Sequence, residues 1–588
     1  MDFIRTLRLD KSLQARFTAA PPGVSTVRLA VLGSSTVSHL LPAIRVGGLR
    51  RGIWLTTFEP DYGQYLQTLS DPDSPLHRFA PDAVLFALDA AHLLRGVDAT
   101  QDQAGADAAL SGITAHLTHC WRLVRTEFSC PVLQQTVLPV FPALLGGNEH
   151  RLSGSRYAIV RRLNTELRFL AEAEGVDLLT VDDQVAEHGL VTWHDRGLWH
   201  RAKQEITPAQ APVYGELVAR QLAARLGKSF KCLVLDLDNT IWGGVIGDDG
   251  LEGIVLGQGS AVGEAFSDVQ VFARELASRG IILAVVSKND AATARAAFEQ
   301  HPEMVLKLSD ISCFIANWND KPANLREIAR QLNIGLDAIV FLDDNPFERE
   351  LVRRELPMVA VPEIGDDPAF YPATLAAAGY FESLGLTAED RGRLRQYQAN
   401  AERGALAAGA TDLPAYLREL KMTLLWRRLH LVALSRIVQL INKTNQFNLT
   451  TRRYTDVEIR TLIDDPYSFG LQFRLLDRFG DNGIISVVIG RQDAAGDVVL
   501  DTWLMSCRVL GRHVENAMLG VIVEQARTMN ANRLLGVYLP TAKNRMVEGH
   551  YEKLGFTPLD RHDNGERLDA LELENYRPSD IFMTIAEG

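Results

Sequence analysis

The chain has 588 residues, 46% of them hydrophobic and 23% charged, close to the averages for soluble globular domains. At roughly 150 residues per domain, that length predicts three or four folding units. Its 73 acidic and 61 basic residues leave a formal charge of −12, which argues against a non-specific nucleic-acid binder, because phosphate contacts need clustered Lys and Arg.

From the start of the chain, residues 1–20 (MDFIRTLRLDKSLQARFTAA) lack the uninterrupted apolar core of a signal peptide. No later window reaches the ~18 apolar residues needed to cross a bilayer. A soluble cytoplasmic protein without a membrane partner is the expectation. Short apolar runs at Val27–Leu32, Ala83–Leu88 and Val132–Val140 predict buried parallel strands, and the patterns at Asp107–Thr126 and Ser155–Glu174 predict helices between them. Alternation of this kind predicts an α/β domain over 1–228. Gly33-Ser34-Ser35 after the first run, with Asp195 and His200 late in the segment, resembles the nucleophile and Asp-x-x-His blocks of SGNH hydrolases. The late spacing, D-R-G-L-W-H, is two residues longer, and no clear oxyanion Asn block lies between. The resemblance implies an SGNH-like fold in a degenerate, docking or structural role, with a Ser35 esterase as the alternative.

A second α/β unit is expected over 229–385. Its strands are predicted at Lys231–Leu235, Ile281–Val286, Cys313–Ala316 and Ala338–Leu342, with helices at Phe266–Arg279 and Ala291–Gln300. Four polar groups each follow one of these strands. Asp236 and Asp238 follow CLVL, and period-two alternation points them to the same side. Ser287, with Lys288 and Asn289, follows IILAVV. Lys321 lies in NWNDKPANL, and Asp343-Asp344 follows AIVFL. The carboxyl end of a parallel sheet is where ligands bind. Clustered carboxylates repel one another, and a divalent cation is the usual remedy. One carboxylate can then attack phosphorus while another moves protons, with the hydroxyl and the ammonium holding the phosphoryl oxygens.

Together these four elements resemble the haloacid dehalogenase (HAD) superfamily, with its D-x-D-x-T, Ser/Thr, Lys and acidic-pair motifs. The resemblance implies Asp236 as nucleophile and Asp238 as general acid/base, with Ser287 and Lys321 binding the phosphoryl group. It also implies Mg²⁺ between Asp236, the backbone carbonyl of Asp238, and Asp343 or Asp344. No large insertion separates the first motif from the Phe266 helix, so an open, capless site is expected.

A polar helical connector is expected over 386–409, and an α+β domain over 410–588. The last domain has strands at Leu471–Leu476, Ile484–Ile489, Val498–Leu504 and Arg533–Tyr538 and helices at Arg512–Asn530 and near Asn544–Leu554. Arg508-Val-Leu-Gly511-Arg512-His513, between a strand and a helix, resembles the pyrophosphate loop of GNAT acyltransferases, with His513 in place of the last small residue. Arg508, Gly511 and Arg512 are therefore candidates for holding a phosphopantetheine arm. Cys507 is a candidate to carry an acyl thioester, the alternative being a small buried residue. His550 and Tyr551 fall where GNAT-like domains close their acyl pocket, and Lys443 and Asn445 are candidates for binding acidic partners. The five cysteines (120, 130, 232, 313 and 507) are widely spaced with no C-x-x-C pair, which predicts neither disulfide framework nor zinc cluster.

Longer stretches narrow the resemblance. WGGVIGDDG (242–250), SKND (287–290), FLDDNPFERE (341–350), NKTNQFNLTTRRY (442–454), DRFGDNGIISV (477–487) and SCRVLGRHVENAML (506–519) are similar to FkbH-like proteins. That resemblance covers about 230–560. It implies an enzyme of polyketide-type assembly that takes 1,3-bisphosphoglycerate, removes phosphate, and loads the glyceryl unit onto the phosphopantetheine arm of an acyl carrier protein. The alternatives are a HAD phosphatase on another phosphorylated small acid or sugar, and a non-catalytic carrier-docking scaffold.

Overall fold

The computed structural model describes residues 2–386, 399, 403, 406, 412–444, 446–506, 509–541 and 544–588. They fall into two compact units, Met1–Leu226 and Gly227–Gly588. The expected connector, 386–409, lies largely outside the described residues.

In the first unit five parallel strands, β1 (Ser25–Gly33), β2 (Ile53–Phe58), β3 (Ala83–Ala87), β4 (Val132–Gln135) and β5 (Asp177–Leu179), lie in the order β2-β1-β3-β4-β5. Alternate residues feed two cores. Ala30, Leu32, Val84 and Phe86 pack with Trp121 of the long helix Gln103–Phe128, while Leu29, Val31 and Leu85 pack with Tyr214 and Leu217 of helix Ala211–Arg225. A sheet covered on both faces explains why these strands read as continuous apolar runs. β4 stops at Gln135, short of the expected Val140, where Pro139 and Pro142 have no N–H for a ladder. β2 is a half-exposed edge strand and β5 only three residues long, so neither gave a sequence signal.

The second unit holds two sheets. In the first, β6 (Cys232–Leu235), β7 (Ile282–Ser287), β8 (Ile311–Ala316) and β9 (Ile339–Leu342) run parallel in the order β8-β7-β6-β9. Leu233 and Leu235 point into one core, Cys232 and Val234 into the other. The chain steps outward from β6 to β7 and β8, then returns to the far side of β6 as β9. The strand order therefore reverses beside β6, whose carboxyl end is the topological position where such sheets bind ligands. Helices Ala261–Ser278, Ala291–Gln300 and Lys321–Leu332 make the crossovers, and Pro346–Glu355 follows β9.

The C-terminal region is an α+β arrangement on an eight-stranded sheet, β15-β16-β14-β13-β12-β11-β10-β17. Its strands are β10 (Met422–Arg428), β11 (Ser468–Asp477), β12 (Gly480–Gln492), β13 (Val498–Met505), β14 (Arg533–Tyr538), β15 (Thr557–Arg561), β16 (Arg567–Glu572) and β17 (Met583–Glu587). β13 and β14 are parallel and pair only from Val498–Leu500 to Leu534–Gly536. Beyond that they diverge, and the chain's own segment 447–449 fills the gap. Met505 N donates to Phe447 O (3.0 Å), Leu449 N to Trp503 O (3.1 Å), and Leu539 N to Leu449 O (2.9 Å). The splay is thus closed by backbone hydrogen bonds on both sides. Among the described residues, no helix is long and apolar enough to cross a membrane.

Candidate active site

The candidate groups at this edge come from loops that leave three parallel strands and from one helix start. Asp236 is held where β6 ends by its N–H donating to Leu342 O (2.9 Å). Asp320 caps the helix that follows β8, its carboxylate accepting from Ala323 N (2.7 Å). Lys321 is the first residue of that helix. Its ammonium is 2% exposed and donates to Asp236 Oδ1 (2.6 Å) and Val286 O (3.0 Å), with Asp343 Oδ2 at 3.1 Å.

Carboxylate oxygens of Asp236, Asp343 and Asp344 lie within 4.8 Å of one another. Burial, and then the charge of Asp236, pushes the Asp343 carboxyl up to about 7 against the pull of Lys321. Asp344 is raised for the same two reasons. Burial alone would lower the Lys321 ammonium, but Asp236 and Asp343 outweigh it and raise it above its ordinary value. One cation facing three carboxylates leaves a net negative, oxygen-rich cluster. That donor set suits a hard divalent cation.

The acidic pair is clamped from behind. Thr240 Oγ1 donates to Asp344 Oδ1 (3.2 Å) and accepts from Asp344 N (3.1 Å). Arg349 Nη1 donates to the carbonyls of Asp343 (3.0 Å) and Asp344 (2.6 Å). Asp238 turns its carboxylate away from the other three: Oδ1 accepts from Trp242 Nε1 (2.9 Å) and Ile246 N (3.1 Å), and Oδ2 from Asn289 Nδ2 (2.8 Å). Its side chain is accordingly not in the cluster of Asp236, Asp343 and Asp344, and its backbone carbonyl remains the expected contribution toward a cation. Ser287, 1% exposed at the end of β7, accepts from Asn289 Nδ2 (3.0 Å). Thus Asp236, Lys321, Asp343 and Asp344 are brought into one cluster, and Asn289 joins Ser287 to Asp238. The roles of Trp242, Asn289 and Arg349 were missed, although all three sit inside the stretches that carry the family resemblance.

The remaining candidates behave differently. Cys507, Arg508 and Asn445 lie outside the described residues. Gly511 takes the left-handed conformation (φ +75°), as does His513 (φ +56°) just before helix Val514–Thr528. The Arg512 guanidinium is buried and paired with Asp477 Oδ2 (3.0 Å), and Arg403 holds the same carboxylate (2.7 Å to Oδ1). His550 and Tyr551 are core residues, the imidazole lying edge-on to Phe447 (5.0 Å) and Trp503 (4.7 Å).

In the first unit Ser34 Oγ donates to Asp89 Oδ2 (2.5 Å), and Ser35 is buried. Asp195 caps helix Arg196–Ala202 by accepting from Gly197 N and Leu198 N, and His200 is exposed on that helix. The geometry therefore gives Asp195 a capping role.

The FkbH N-terminal domain model matches residues 28–216. The N-terminal part of a Bacteroides fragilis protein containing a phosphatase domain, solved in complex with Mg, is 32% identical with a TM-score of 0.60; the alignment covers 66% of this chain and 100% of that one. The ribosomal-protein-S18-alanine N-acetyltransferase of Escherichia coli aligns at 12% identity and TM-score 0.20, over 26% of this chain and 99% of its own. The GNAT domain of S. lividans PAT aligns at 18% identity and TM-score 0.21, over 25% and 89%. No curated protein matches the sequence. By the domain match and the alignment over the whole of the solved Bacteroides fragilis chain, this chain belongs to the FkbH-like family of the HAD superfamily.

Proposed function

We propose that the chain is a Mg²⁺-dependent phosphatase and glyceryl transferase that takes 1,3-bisphosphoglycerate, removes phosphate, and loads the glyceryl unit onto the phosphopantetheine arm of an acyl carrier protein. The observation that carries the phosphatase half is the Lys321-bridged cluster of Asp236, Asp343 and Asp344 at the reversal point of the parallel sheet. The Mg²⁺ complex of the Bacteroides fragilis relative supports the cofactor. The glyceryl and carrier half is supported by the resemblance of the stretches between 230 and 560.

Asp236 attacks phosphorus and the bond to the leaving oxygen breaks, giving an aspartyl-phosphate. Asp238 supplies the proton that the leaving oxygen takes. Water then attacks the same phosphorus, Asp238 takes its proton, and Asp236 is released with inorganic phosphate. Lys321 and the Ser287 hydroxyl hold the phosphoryl oxygens through both steps. Asp236, Asp343 and Asp344 would hold Mg²⁺, which supplies charge stabilisation for the phosphoryl group. With the Asp236 step acting on the phosphate ester, the acyl phosphate remains as the leaving group that a thiol displaces from the carboxyl carbon, with Cys507 as the candidate carrier on this chain.

The test is intact-protein mass spectrometry of a holo acyl carrier protein incubated with enzyme, Mg²⁺ and 1,3-bisphosphoglycerate. A glyceryl-sized gain that disappears with Asp236→Asn supports the full reading. No gain on the carrier, with phosphate nevertheless released from other esters, would leave a phosphatase acting on another phosphorylated small acid or sugar.

A further inference from the structure

Asn289 is 3% exposed and uses one nitrogen to tie together two groups from different strand ends. Its Nδ2 donates to Asp238 Oδ2 (2.8 Å) and to Ser287 Oγ (3.0 Å). A primary amide has two hydrogens in one plane, and here both are committed. The reverse orientation of the amide would set its oxygen against the carboxylate, acceptor facing acceptor, so the charge of Asp238 fixes which end points inward.

The bridge has a consequence at each end. Ser287 Oγ receives a hydrogen from Asn289, which leaves its own O–H to donate to something else, as a phosphoryl oxygen requires. At Asp238, Oδ1 is taken by two donors from its own loop, Trp242 Nε1 and Ile246 N. Oδ2 is then the oxygen through which a proton can move, and Asn289 is the group that aims it.

We infer that Asn289 is a positioning residue that aligns the proton-transfer oxygen of Asp238 with the phosphoryl-binding hydroxyl of Ser287; this rests on the phosphoryl-transfer reading above. Acting through Asp238, it affects the rate of the chemical step more than ground-state binding. Misplacing a catalytic group by about 1 Å can cost on the order of 10²-fold.

The experiment is a double-mutant cycle on the full chain with Mg²⁺, using p-nitrophenyl phosphate as substrate and reading kcat and KM separately. Asn289→Leu should lower kcat roughly 10²-fold with KM changed by less than about threefold. In an Asp238→Asn background the same substitution should lower kcat by less than about threefold, because the group it aims is already disabled. The isosteric Asn289→Asp, which replaces the donor by an acceptor, should show the same dependence on Asp238 and serves if the leucine variant fails to fold. Equal losses in both backgrounds would overturn the inference, as would a kcat unchanged by either substitution. A wild-type chain inactive on every phosphate ester would instead sink the phosphoryl-transfer reading, and this inference with it.

Discussion

The ammonium of Lys321 lies 2.6 Å from Asp236 Oδ1, with 2% and 11% of the two side chains exposed. Both groups are shut away from water, so the pair depends on its neighbours for charge balance, and those neighbours are two more carboxylates. Lys321 answers only part of that charge.

Binding of a divalent cation should therefore stabilise the chain. Mg²⁺ added to chelator-treated protein is expected to raise the melting temperature in a concentration-dependent way, reaching about 2.7 kcal/mol at a hundredfold excess over Kd. Asp343→Asn, which removes a fully buried carboxylate from the cluster, should abolish most of the shift in differential scanning fluorimetry. An undiminished shift in that variant would place the cation elsewhere.

His550 supplies a pH test in the C-terminal region. Burial, and then Lys553, lowers the imidazole from 6.5 to about 3. The unfolded chain takes up a proton below 6.5 and the native chain does not, so stability falls as pH drops from 6.5 toward 3, with a slope of about 1.4 kcal/mol per unit. His550→Phe should lose that component. Denaturant titrations at pH 7 and pH 5 should show a wild-type loss larger than the variant's by about 2 kcal/mol.

Glu205 works in the opposite direction in the first unit. Burial, and then the charge of Asp89, raises its carboxyl well above 4.5 while Ala90 N (2.9 Å) donates to it. The native state keeps a proton that the unfolded chain loses above 4.5, so this group costs stability as pH rises. Glu205→Gln should gain on the wild type between pH 5 and pH 8 and match it near pH 4. Parallel pH–stability curves for the two proteins would contradict the assignment.

Much of the site was legible because each group follows an apolar run: Asp236 after CLVL, Ser287 after IILAVV, Asp343 after AIVFL. Strand ends in a parallel sheet converge, and the sequence marks strand ends well. The role of Asn289 was not legible, since it depends on the loop after β7 meeting the loop after β6. Arg349 is a helix residue whose value lies in the two carbonyls it reaches, and backbone carbonyls carry no sequence signal. The closure of the β13–β14 splay by Phe447–Leu449 is a tertiary fact about a segment that is neither a strand nor a helix by periodicity. β10 and β17 pair as neighbours although more than a hundred residues separate them in the chain, a pairing that no local pattern records.

Asp477 is fully buried between Arg403 and Arg512. Asp477→Ala would remove the buried carboxylate that both guanidiniums pair with and should destabilise by about 3–5 kcal/mol. Arg512→Met should cost less, because Arg403 still answers the carboxylate. Neither substitution should act through ligand affinity. Equilibrium denaturation of both variants, beside pantetheine-binding titrations, checks this; a loss of binding at unchanged stability would place Arg512 at the ligand site.

The central claim is that Asp236 carries the phosphoryl group. It is tested most directly by acid-quenching single turnovers with Mg²⁺ and a phosphorylated substrate and locating the label by mass spectrometry. A phosphoryl-sized gain on the peptide bearing Asp236, lost together with phosphate release in Asp236→Asn, is the expected result. Undiminished phosphate release from Asp236→Asn would contradict it.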